Sequence, residues 1–133
     1  MWGMTDDTAS RWPDIRIIGP IEHRRGIQYS GLVEIEVPLS RPTVTEWDLL
    51  FEEALKLDPD GREAADIRAQ MVPMIWATVM PVRAETIDRS IEEAIEVANL
   101  RYRTQWLPTL PAVEVEALVD DALSLERRHP PAG

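Results

Sequence analysis

His23, Arg24 and Arg25 stand in a row ahead of Gly26, and that row is the best functional lead in the 133-residue chain. Two guanidiniums side by side can grip a phosphate or carboxylate through paired N–H donors. An adjacent imidazole would make that grip depend on pH near neutrality. On this reading His23, Arg24 and Arg25 form an anion clamp at a hairpin tip, with Arg16 or Arg41 as a further arm. The plainer reading is a turn that is polar because it is exposed, with Gly26 supplying a permissive backbone.

Other chemistry has less to rest on. Ser30, Ser40, Ser90 and Ser124 lie in no Gly-x-Ser-x-Gly elbow. The two histidines are His23 and His129, and His129 sits in a Pro-rich tail that holds nothing in place. No catalytic residue is assigned. The acidic pairs Asp48/Glu52 and Glu92/Glu96 have the i, i+4 spacing of a general acid/base or magnesium pair, and equally of a solvated helix face. "DPDG", Asp58 to Gly61, lacks the spacing and the closing glutamate of a calcium loop. No phosphate-cradling glycine motif occurs. No metal and no cofactor is expected.

Several elements must position these residues. "IRIIGPIE", Ile15 to Glu22, reads as an edge strand broken at Gly19-Pro20. Val33, Ile35, Val37 and Leu39 alternate with Glu34 and Glu36, the pattern of a strand with one wet face. Thr43 and Glu46 match a capping box ahead of a helix whose stripe is Val44, Trp47, Leu50, Phe51, Ala54 and Leu55, stopped by "DPDG". Arg62 to Met71 is ambiguous between helix and strand, and its residue types favour a short helix. "MIWATVMPV", Met74 to Val82, is apolar on both faces, which predicts a central strand with Trp76 in the core. The most regular helix carries Ile87, Ile91, Ala94, Ile95, Ala98 and Tyr102 on one stripe.

The expected fold is therefore α+β: a small antiparallel sheet, made of a hairpin and a central strand, with helices packed on one face as a two-layer sandwich. The expected organisation is a flexible segment over 1–13, the α+β domain over 14–106, a Pro-rich linker over 107–111, a C-terminal helix over 112–128 and a tail over 129–133.

Composition narrows the function. A net charge of −10 argues against nucleic acid and anionic membranes as partners. No cysteine is present, so disulfides and thiolate chemistry are excluded. No signal peptide is visible, and the most apolar run, Met71 to Val82, is too short to span a bilayer. Together with 13 arginines against one lysine, these features suggest a cytoplasmic protein of a GC-rich bacterium. The last helix carries apolar residues round more than one stripe, and Leu118, Val119, Leu123 and Leu125 are its expected interface. The functional expectation is a non-enzymatic binding or assembly module acting through protein–protein contacts, as a homodimer or with another protein. The alternative is a small enzyme or ligand-binding protein with an anion site at His23, Arg24 and Arg25.

Overall fold

Strand β2 (Val33–Pro38) buries Ile35 and Val37 and turns Glu34 and Glu36 the other way. Carboxylates are costly to desolvate, so only the first of these faces is suited to a covering layer. The computed structural model, which describes residues 8–25, 31–63, 66–69 and 71–128, follows that division throughout. β1 (Glu22–Arg25), β2, β3 (Asp66–Ala69) and β4 (Met74–Val79) form an antiparallel sheet in the order β1-β2-β4-β3. The helices α1 (Thr45–Leu57), α2 (Pro59–Glu63), α3 (Ile87–Arg101) and α4 (Ala112–Arg128) accompany it. The fold is α+β, with helices packed against one face of an open sheet.

The core lies between Ile35, Val37, Ile75 and Val79 on the sheet and Trp47, Phe51, Ile87 and Ile91 on α1 and α3, all at most 1% exposed. Trp47 and Phe51 stack at 5.6 Å between ring centroids, as residues four apart on a helix can. Among the described residues no helix is long and apolar enough to cross a membrane.

Several local expectations need correction. The first strand proper is Glu22–Arg25, not Ile15 to Glu22. Upstream the chain meets the end of β2 through the isolated Ile17–Leu39 bridge and the Ile18 N–H to the Pro38 carbonyl at 3.1 Å, and it forms no continuous ladder because Pro20 has no N–H to donate and Gly19-Pro20 interrupts the pairing. The expected turn glycine, Gly26, lies outside the described residues; Gly31, at φ 86°, leads into β2 in the left-handed region that glycine favours. The capping box is absent. Val44 is the N-cap, with no side-chain cap bond, and the Thr43 hydroxyl bonds Asp48 instead. "DPDG" stops α1 but at once begins α2, where a Cβ on Gly61 would come within 2.6 Å of the Leu55 carbonyl oxygen. Within Arg62 to Met71 the regular structure after α2 is a strand, β3, because its backbone completes the free edge of β4. β4 is central as expected, yet buried on one face only, and Trp76 is 56% exposed.

Polar contacts fasten the chain's two ends. Buried Asn99 on α3 accepts from the Ile15 N–H and the Trp47 indole, and donates to the Ile15 carbonyl, each at 2.9–3.0 Å. Arg41, 2% exposed, lies over the Trp12 ring and donates to the Pro13 and Asp14 carbonyls and, at 2.7 Å, to Glu126 on α4. Trp12 is buried against Tyr102, so the described part of the 1–13 segment, from Thr8 onward, is docked. In the 107–111 stretch Leu107 is fully buried, and α4 rests on the body through Val115, Val119 and Ala122.

Candidate functional site

Apart from His23, the described polar side chains of the four strands lie on the sheet's second face. Register aligns Glu22, Glu36, Trp76 and Arg68 in one cross-strand row, and Arg24, Glu34, Thr78 and Asp66 in the next. Neighbouring strands lie about 4.8 Å apart, so side chains in each row touch or nearly touch. Trp76 stands near the middle, between Glu36 and Arg68, and its indole N–H points to the Met74 sulfur at 2.9 Å. Glu34, Glu36, Asp66 and Thr78 join Trp76 in lining a pocket of about 190 Å³. Glu34 and Glu36 are half-buried there.

The charges on this face are partly matched. Arg24 donates to Glu22 at 2.8 Å and lies 3.5 Å from Glu36. The hydrogen bond to Glu22 and the charge of Glu36 hold its guanidinium above its ordinary pKa. Arg68 donates to Asp66 at 3.2 Å. Glu34 forms no ion pair among the described residues. Four carboxylates (Glu22, Glu34, Glu36, Asp66) thus stand against two guanidiniums.

The anticipated clamp residues are strand residues. His23 and Arg24 are consecutive in β1, so their side chains leave opposite faces. The His23 ring nitrogen Nε2 meets the Asp88 carboxylate of α3 at 2.9 Å and 3.0 Å, on the helical side. Arg24 lies on the open side, and Arg25 pairs in the ladder opposite Val33. Arg16 and Arg41 meet far from this strand, on Glu126. His23, Arg24, Arg16 and Arg41 therefore do not converge on one anion.

Of the interface residues expected on α4, Val119 is fully buried in the chain's own core. Leu118 is half-buried against that core, Leu125 is half-buried and Leu123 is 37% exposed. Asp48, expected on a wet face, is only 8% exposed, with Oδ1 lacking a hydrogen-bond partner. A larger groove of about 620 Å³ runs between residues 14–21 and α3. Two of its carboxylates are already engaged, Asp88 by His23 and Asp14 by Arg103. Among the described residues no group of three or more His, Asp or Glu side chains is arranged to hold a metal ion.

Trp76 is the residue that reading the sequence misplaced, and its register with β2 locates it. A strand paired with β2 must share its faces. The residue opposite Glu36 therefore shares the wet face of Glu36, and that residue is Trp76.

Comparison of the chain with protein-family models, with curated proteins and with solved structures gave no match.

Proposed function

We propose that this protein is a binding module that acts through protein–protein contacts, and that the open face of its sheet is the docking surface. One observation carries the reading: a tryptophan 56% exposed at the centre of a central strand, on a face that no described element covers. Tryptophan is enriched where partners anchor, since it supplies a large apolar area with a polar edge. Self-association through α4 has less behind it, because Val115, Val119 and Ala122 are used internally and chiefly Val113 and Leu123 stay exposed on that helix.

The test is site-specific photo-crosslinking in cells that encode the chain, with the reactive group at position 76 and, as control, at Arg89 on the helical side. A polypeptide product from position 76 but not from position 89 supports the proposal. Equal products from both sites, or none from position 76, count against it.

A further inference from the structure

We infer that the occupant of this face is a cationic, arginine-bearing segment of a partner protein, whose guanidinium lies over the Trp76 ring between Glu34, Glu36 and Asp66. The inference rests on the docking face proposed above and adds the chemistry of what docks.

Three features of the pocket point to a cation. Its aromatic wall presents the electron-rich face that attracts an ammonium or guanidinium. Its other charged walls are the carboxylates Glu34, Glu36 and Asp66. Glu34, which has no ion pair among the described residues, is half-buried, so a charge brought to it is screened less than at an open surface. A guanidinium suits this set better than an ammonium: it is planar, stacks on an indole, and still presents N–H forks to carboxylates at its edge. The native guanidiniums nearby engage two of these walls, Arg24 pairing with Glu22 and Glu36 and Arg68 with Asp66, so two guanidiniums stand against the four carboxylates of the face and its charge stays negative.

Charge also selects among occupants. A second copy would bring a like-charged face and a net charge of −10 against the first. A nucleic acid would set phosphates against carboxylates. A basic segment meets an opposite charge on every row of the sheet.

The experiment is an NMR titration of the full chain with a blocked Gly-Arg-Gly-Arg-Gly peptide at about 0.15 M salt, beside the same peptide with lysine or glutamate for arginine. The expected result is saturable shifts at the Trp76 indole N–H and the Glu34, Glu36 and Thr78 amides, strongest for arginine and absent for glutamate. Trp76→Ala and, separately, Glu34→Gln should each weaken binding about tenfold, within the span of a partly desolvated cation–π or charge contact. The double variant Glu92→Gln/Glu96→Gln, in the other acidic groove, should bind as the wild type does.

No saturable shift into the millimolar range overturns the inference. So do shifts mapping to α3, equal binding of the lysine peptide, or concentration-dependent shifts of the same face without peptide, which would mark a second copy as the occupant. A crosslink from position 76 with no arginine binding removes the cationic occupant and leaves the docking face. Failure of both experiments removes both.

Discussion

Asp48 shows how burial and charge compete at a single residue. Burial pushes its carboxyl above the usual range, Glu52 and Glu46 add to the rise, and the hydrogen bond from Thr43 opposes it. A carboxyl with a raised folded-state pKa contributes least once it ionises, so stability should fall as pH climbs through that value. Asp48→Asn removes the ionisation, and its stability relative to wild type should improve between about pH 4 and pH 7 in urea titrations. A constant difference across that range would show that Asp48 is not desolvated. Trp47 and Trp76 form a second contrast. Trp47→Ala opens a cavity in the core and removes one of the two donors to Asn99 Oδ1, at a cost of about 3–5 kcal/mol. Trp76→Ala uncovers nothing in the core, and its cost should stay within the ~1 kcal/mol span of strand propensity. Denaturant midpoints of the two variants check the pair. Trp76 was misread because apolar residues on both faces of a strand look alike whether the second face is buried or bare. Only the pairing with Glu34 and Glu36, which is not local, separates the two cases.

At the scale of elements, the polar contacts between α4 and the body meet on one carboxylate. Burial alone would raise Glu126, but hydrogen bonds from Arg41 and Ser40, the Arg41 charge and a further bond from Arg16 outweigh it and hold the carboxyl low. A depressed carboxyl stabilises the fold above its unfolded value of about 4.3 and loses that contribution as pH falls through its folded value. Glu126→Gln takes from buried Arg41 its ion-pair partner and leaves it only the weaker influence of Asp14, a change that costs about 3–5 kcal/mol in comparable pairs. The double variant Arg41→Met/Glu126→Leu should recover part of the loss. A double variant less stable than Glu126→Gln would mean that Arg41 acts mainly through Trp12 and the Pro13 and Asp14 carbonyls. The helices α1 and α3 were legible from their 3.6-residue stripes, α4 from the run after Pro111 with Arg127 and Arg128 against the negative end of its dipole, and β2 from its alternation. β3 was not, because Asp66–Ala69 becomes a strand by completing the edge of β4, a tertiary choice that overrides local preference. β1 was displaced along the chain because Gly19-Pro20 breaks the ladder where the sequence looked most strand-like. The Arg41–Glu126 pair spans 85 residues, and no local pattern announces it.

At the scale of the whole molecule, the two faces of the sheet differ. The helical layer closes one side of the sheet, Asn99 and Arg41 fasten the chain's ends to that layer, and the other side of the sheet stays open around Trp76. The fold class was readable from the sequence because a wet strand face permits only one covering layer. The open face was not, since it is assembled from four strands that are separate in sequence. The chain has five tryptophans, so the state of this one is read as a difference. The most direct measurement is the fluorescence of the dilute wild-type chain minus that of Trp76→Phe, with acrylamide quenching, before and after addition of the arginine peptide. The expected result is a difference spectrum that is solvent-relaxed and freely quenched in the isolated chain, and shielded once the peptide is present. A Trp76 signal already shielded in the isolated, dilute chain would contradict the open face and the docking function built on it.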